Sequence, residues 1–175
     1  MDWTVRPASA VDAERLALVG GATFLETFAG VLDGRAIVDH CRREHSHAAY
    51  EAYLGAGGQA WLAETCHGSA PVGFSLVGET HLPGCTPDGS DIELKRIYTL
   101  SRFHGTGMGA ELMKQAILHA EQRGYRRILL GVYAGNARAR AFYARQDFIQ
   151  IADRKFRVGE REYDDVVLAR QLRTE

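Results

Sequence analysis

The chain has 175 residues, 46% of them apolar and 25% charged, with 21 Lys and Arg against 22 Asp and Glu for a formal net charge of −1. Length and composition describe one globular domain over 1–175 with a single core, and they exclude a disordered chain. The charge balance speaks against a dedicated nucleic-acid binder. No apolar run nears the ~20 residues of a membrane span and the opening Met1-Asp2-Trp3-Thr4 has no signal-like pattern, so a cytoplasmic protein away from membranes is expected.

Trp3 to Pro7 reads as a short strand stopped by proline, and Ser9 or Asp12 can cap a helix that runs through Leu16, Leu18 and Val19 to Phe28. Gly30 and Gly34 interrupt it. A second helix is expected from Ile37 to about Leu54, ending in the loop Gly55-Ala56-Gly57-Gly58. The period then changes to extended: Gln59 to Glu64 and Val72 to Glu79 read as antiparallel strands joined by His67-Gly68-Ser69-Ala70-Pro71. A polar stretch with Pro83, Gly84, Pro87 and Gly89 leads into a strand from Asp91 to Leu100. From Thr106 to Arg123, Met108, Leu112, Ala116, Ile117 and Ala120 recur at steps of three and four, which predicts an amphipathic helix ended by Gly124. Arg127 to Val132 is a compact apolar strand, Asn136 to Arg145 a short helix, and Phe148 to Phe156 with Tyr163 to Leu172 a last pair of strands across Val158-Gly159-Glu160. An exposed final strand would offer an edge on which a second copy could pair as a homodimer.

Cys41, Cys66 and Cys85 are scattered and odd in number, so free thiols are expected. The 7 histidines show no ligand spacing, so no metal is expected.

The stretch Arg102-Phe103-His104-Gly105-Thr106-Gly107-Met108-Gly109 lies between a strand and a helix. Glycines at alternate positions remove Cβ atoms along one stretch of backbone, so several N–H groups can approach an anion at the positive end of the helix. A tight turn with close helix packing would explain one or two of these glycines; three in alternation favour a phosphate. A nucleotide-hydrolysing loop would need Gly-Lys-Ser/Thr, yet Met108 follows Gly107. A dinucleotide site needs an acidic residue at the end of the next strand, and Ile128-Leu129-Leu130-Gly131-Val132 has none.

The order strand, Arg102-x-x-Gly105-x-Gly107, helix, strand, then Asn136-Ala137-Arg138-Ala139-Arg140-Ala141-Phe142-Tyr143 resembles the GCN5-related N-acetyltransferase (GNAT) superfamily over essentially the whole chain. Thr23-Phe24-Leu25-Glu26-Thr27-Phe28 and Glu93-Leu94-Lys95-Arg96-Ile97-Tyr98 look like the branch of PaiA-type polyamine acetyltransferases. The resemblance implies an α/β (α+β) fold. Its central twisted sheet is mixed and mostly antiparallel, with six to seven strands, about four flanking helices and two parallel strands splayed at the centre. It also implies acetyl-CoA as cosubstrate, with no metal. The main chain of His104, Gly105, Thr106, Gly107, Met108 and Gly109 would hold the pyrophosphate, and that of Ile97, Tyr98 and Thr99 would face pantetheine and the acetyl carbonyl.

Acetyl transfer to an amine needs a base, a donor to the developing oxyanion and a proton for the departing thiolate. Tyr143 matches the family's tyrosine near the coenzyme sulfur, and with a reference pKa of about 10 it can donate at neutral pH; a core tyrosine is the plainer reading. A backbone N–H near Thr99 would serve the oxyanion. Glu93 is the candidate base, set against a strand carboxylate paired with Lys95 or Arg96. The ribosomal-protein acetyltransferases place a glutamate on the next strand, where this chain has Gly131. Asn136 either reaches the coenzyme or caps its helix. Where relatives have Gly-Phe after this helix the chain has Asp147-Phe148, and Asp suits a left-handed helix end less well than Gly.

Acceptor specificity is expected from the first two helices and the loop before Glu93, where Glu26, with Phe28 beside it, and Asp33, Asp39, Asp88 and Asp91 stand among Arg35, Arg42 and Arg43. The resulting expectation is a small primary amine, polyamines first. The alternatives are a non-catalytic acetyl-CoA sensor or scaffold and an acetyltransferase of protein N-termini or lysines.

Overall fold

The computed structural model describes residues 2–82, 86–158 and 161–173. Pro83, Gly84 and Cys85 of the expected polar stretch, and Gly159 and Glu160, which were expected to link the last two strands, lie outside the described residues. By its internal packing the chain divides into two compact units interleaved in sequence, Met1–Gly78 with Arg96–Ala116 and Glu79–Lys95 with Ile117–Glu175.

The elements follow in the order β1 (Trp3–Ala8), α1 (Ala13–Phe28), α2 (Gly34–Glu44), α3 (His47–Gly55), β2 (Gln59–Thr65), β3 (Pro71–Gly78), β4 (Asp91–Thr99), α4 (Met108–Gln122), β5 (Arg127–Tyr133), α5 (Ala137–Ala144), β6 (Ile149–Val158) and β7 (Arg161–Gln171). The strands form one seven-stranded sheet in the order β1-β2-β3-β4-β5-β7-β6. Pairing is antiparallel for β1–β2, β2–β3, β5–β7 and β6–β7, and parallel for β4–β5. This is the mixed, mostly antiparallel sheet that was expected. The parallel ladder holds only from Asp91–Arg127 to Glu93–Leu129, although β4 continues to Thr99 and β5 to Tyr133.

Three expectations change. The helix expected from Ile37 to Leu54 is two helices, because the Ser46 side chain accepts from the Ala49 N–H and starts a new one; among the described residues the α-helices therefore number five. Pro7 does not stop β1, which runs on to Ala8. As β1 is an edge strand, a residue without an N–H is tolerated there. The final strand is not an edge: β7 lies between β5 and β6, and the edges are β1 and β6, so β7 offers no free ladder to a second copy.

In the first unit Leu16, Val19, Tyr50, Leu62, Phe74 and Leu76 form a buried core. Arg6 ties β1 to Asp12 and, across to β2, to Glu64. The second unit buries Leu129, Val167 and Ala169 with Leu82. Asp91 opens β4 by accepting from Arg127 through two nitrogens at 2.7 and 2.6 Å, which sets the register of the parallel pair. No helix among the described residues is long and apolar enough to cross a membrane.

Candidate active site

The glycine loop begins where β4 ends. A 3-10 turn, Ser101–Phe103, follows Thr99 and Leu100, and the Glu26 carboxylate on α1 fixes it by accepting from the Ser101 N–H at 2.9 Å and its hydroxyl at 3.1 Å. His104 turns its Nε2 back to the Thr99 carbonyl at 3.1 Å. Gly105 and Gly107 then take φ of +79° and +87°, a region that other residues occupy only with strain. A Cβ at either glycine would meet nothing within 4 Å, so neither is required by packing. The Glu111 N–H donates to the Gly107 carbonyl at 3.0 Å. The amides of Met108, Gly109 and Ala110 therefore precede the first intrahelical bond and carry the positive end of α4. The Met108 side chain is fully buried, and Gly109 is not among the residues with positive φ. Left-handed backbone, open space and free helix amides together make an anion cradle.

Beside this loop, β4 lies close to β3. A Cβ on Gly73 would come within 3.0 Å of the Tyr98 carbonyl, the Thr99 methyl and the Met108 sulfur, so this glycine permits the approach. Tyr98, half-buried, reaches an aromatic cluster with ring centroids 5.8 Å from Phe74 and 6.2 Å from His45. The cluster continues through Phe24, which lies 4.5 Å from Phe28 and is stacked on His40 at 4.1 Å. The expected acceptor residue Phe28 is thus on the same patch as Tyr98.

Residues outside the expected set lie at the heart of this patch. His45 Nδ1 is 2.9 Å from the Tyr50 hydroxyl. Burial lifts the Tyr50 hydroxyl far above its ordinary value, so it keeps its proton. Donation to Nδ1 is the arrangement that pairs that proton, and it leaves Nε2 as an N–H donor. Among the described residues, Nε2 is buried with no partner. Arg96 lies over the rings of Tyr50 and Tyr53, its Cζ 5.4 and 4.7 Å from their centroids. Its Nη2 donates to Glu44 Oε2 at 2.9 Å, while its Nη1 is buried without a partner among the described residues. A sequence signal for this cluster existed in Gly20, mid-helix in α1: a Cβ there would clash with His45 and the Tyr50 hydroxyl. Glycine inside a helix is costly unless something approaches it closely.

Two outcomes follow from that packing. Gly20→Ala is expected to lower stability by about 1–3 kcal/mol, measured by urea unfolding, with near-normal helix content. Burial, with a smaller contribution from Arg96, pushes the His45 imidazole down to about 3, and burial lowers His40 in the same sense. A histidine whose folded value lies below its unfolded value of about 6.5 binds more protons unfolded than folded between the two. Its contribution is therefore full above pH about 6.5 and is lost toward pH about 3, at up to roughly 1.4 kcal/mol per pH unit. Urea midpoints should fall between pH 7 and pH 5, and fall less in His45→Gln. An equal fall in both would place the titration elsewhere.

The expected acceptor carboxylates are engaged structurally. Glu26 holds Ser101 and Asp33 caps α2 through the N–H groups of Arg35 and Ala36. Asp39 pairs with Arg42, Asp88 with Ser90, and Asp91 with Arg127.

In the second unit, Glu93 is buried, and its Oε2 accepts from Lys95 Nζ at 2.6 Å and the His81 N–H at 2.9 Å. The paired reading of Glu93 is thus the observed one. Asn136 caps α5, its Oδ1 accepting from Ala139 at 3.0 Å. Tyr143 is buried, with ring centroids 5.4 Å from Phe142 and 5.7 Å from Phe148. The helix ends at Asp147 with φ of +61°, the left-handed conformation that glycine would take freely. Gly131 leaves room for the Arg154 guanidinium, which a Cβ there would strike, and Arg154 pairs with Asp165. Among the described residues no group of three or more His, Cys, Asp and Glu is placed to hold a metal ion.

Known proteins match this chain in sequence and in fold. A family model described as Acetyltransferase (GNAT) family matches residues 31–148. An uncharacterized N-acetyltransferase of Mycobacterium bovis is 32% identical over 161 residues, covering 92% of this chain and 98% of its own. Among solved structures, the PaiA N-acetyltransferase from Thermoplasma acidophilum in complex with coenzyme A superposes with a TM-score of 0.78 at 18% identity, covering 98% of this chain and 99% of that one. A putative acetyltransferase from Salmonella typhimurium with acetyl-CoA gives a TM-score of 0.71 at 19% identity, with 100% and 96% covered. The family model over 31–148 and the relative 32% identical over 92% of the chain place this chain in the GNAT family of acetyltransferases.

Proposed function

We propose that residues 1–175 act as one acetyltransferase domain that transfers acetyl from acetyl-CoA to a primary amine of a small molecule by direct attack. The observation that carries this reading is the cradle at the start of α4, where Gly105 and Gly107 hold a left-handed backbone that packing does not require. The main chain of His104 through Gly109 suits a pyrophosphate, and Ile97, Tyr98 and Thr99 offer main-chain groups to the pantetheine arm. Acetyl-CoA, when bound, supplies the activated acetyl group as a thioester.

The protein's own groups then have separate tasks. The Thr99 N–H donates to the carbonyl oxygen as it gains charge. Glu93, whose Oε2 is held by Lys95 and His81, takes a proton from the acceptor ammonium through water with its other oxygen. The free amine forms the new C–N bond as the C–S bond breaks, the Tyr143 hydroxyl gives its proton to the departing sulfur, and the second proton shed by the amine nitrogen passes through water to the Tyr143 oxygen, restoring the hydroxyl. Asn136 orients α5, which carries Tyr143, and is in reach of the coenzyme in this reading. Glu26 positions the loop through Ser101, and Phe28 forms part of the acceptor wall. The setting proposed is the cytoplasm, in keeping with the free thiols of Cys41 and Cys66.

The test is thiol release from acetyl-CoA in the presence of polyamines, amino acids and aminoglycosides. Release above background hydrolysis with at least one class is expected. Coenzyme binding with no turnover across the panel would replace the enzyme by a sensor or scaffold.

A further inference from the structure

We propose that Arg96 and His45 form a docking site for a carboxylate on the acceptor, so that the amine acetylated belongs to an amino acid rather than to a bare polyamine. This rests on the acetyl-transfer reading above. Arg96 and His45 are each more than nine-tenths buried, and each keeps one polar atom, Nη1 and Nε2, without a partner among the described residues. Both atoms are donors, and both side chains lie against the Tyr50 ring, with Arg96 Cζ at 5.4 Å and the His45 ring at 6.1 Å. Buried donors left unpaired are rare because each forfeits its hydration. Two in one cluster call for an oxygen that none of the described residues supplies.

The guanidinium is set up for such an oxygen. Its planar fork matches a carboxylate with two parallel bonds, yet Glu44 engages only Nη2. The Glu44 side chain is 39% exposed whereas that of Arg96 is 8% exposed, so Glu44 is the partner that can swing toward solvent. It also lies at the C-terminal end of α2, where the helix dipole disfavours a carboxylate. An incoming carboxylate would replace Glu44 on Arg96, gain the second nitrogen, and bring an oxygen to His45 Nε2. Arg42 and Arg43, exposed in the last turn of α2, favour the approach of an anion. The site is next to the proposed chemistry: Arg96 is three residues before Thr99 on β4, roughly 10 Å along the strand, and the His45 ring is 6.2 Å from Tyr98. The carboxylates that would have drawn a polyamine are the ones held in helix caps, turns and ion pairs.

The test compares amino acids with the amines that lack only the carboxylate, lysine against cadaverine and ornithine against putrescine, in the thiol-release assay. The wild-type enzyme should favour the carboxylated member of each pair by at least tenfold in kcat/KM. Arg96→Lys should raise KM for lysine at least tenfold and leave KM for acetyl-CoA within twofold. Glu44→Gln should lower KM for lysine several-fold and leave cadaverine unchanged. Equal or better use of the decarboxylated amines by the wild type overturns the assignment, whatever the variants do. Calorimetric titration of lysine into the wild-type protein with coenzyme A separates the two readings. Lysine binding that Glu44→Gln tightens, without turnover of any amine, leaves the docking site standing and removes the enzyme. Turnover of amines with no carboxylate preference removes the docking site and keeps the enzyme.

Discussion

Tyr143→Phe is expected to lower kcat by about 10²-fold or more, the usual contribution of a positioned proton donor, while acetyl-CoA binding stays within about twofold. The substitution removes one oxygen and keeps the ring that packs between Phe142 and Phe148. Stability should fall by no more than about 1 kcal/mol, the net worth of an ordinary hydrogen bond. Initial rates over a range of both substrates, with coenzyme A titrated by calorimetry, separate a lost proton donor from lost binding. A variant with unchanged kcat removes the acid role and returns Tyr143 to the core. One that loses kcat and coenzyme affinity together would make Tyr143 a binding residue.

Gly107→Ala should raise KM for acetyl-CoA by at least tenfold. At φ of +87° an alanine costs about 1–2 kcal/mol if the backbone holds, and the added methyl would project into the open space beside the loop amides. If the backbone instead relaxes to negative φ, the amides turn away from the cradle. Coenzyme binding suffers in either case, whereas the melting temperature falls by no more than about 2–8 °C, the effect of the backbone strain alone, because no packed neighbour is struck. Gly109→Ala is the control, since Gly109 does not have a positive φ; it should cost markedly less affinity. Equal effects of the two substitutions, or unchanged KM in Gly107→Ala, would count against the pyrophosphate assignment.

How legible each part was in the sequence depends on the range of the interactions behind it. The glycine loop was readable because its chemistry is main-chain and local, and alternate glycines announce it without knowledge of any neighbour. The strand ranges from Gln59 to Leu100 were readable from period and turn residues. The break between α2 and α3 was not seen, although Ser46 is an ordinary cap, because the mixed charges around it blur the helical period. The partners of the expected acceptor carboxylates were hidden for a different reason. A sequence shows that Glu26 or Asp91 is acidic, but not that Ser101 or Arg127, respectively 75 and 36 positions away, already engages it. Glu93 falls between these cases: its neighbour Lys95 was visible and is its partner, while the His81 amide was not.

By itself, then, the sequence determined the family, the mixed α/β order of elements and the place of the glycine loop between β4 and α4, all of which depend on short-range spacing and backbone freedom. Only the tertiary structure decided which charged groups are engaged and which buried donors remain unpaired. That decision depends on partners brought from distant elements: Arg96 from β4, His45 from the end of α2 and Tyr50 from α3, packed against a glycine in α1. Hydrogen-bond satisfaction is a property of packed neighbours, and no local pattern of residues reports it.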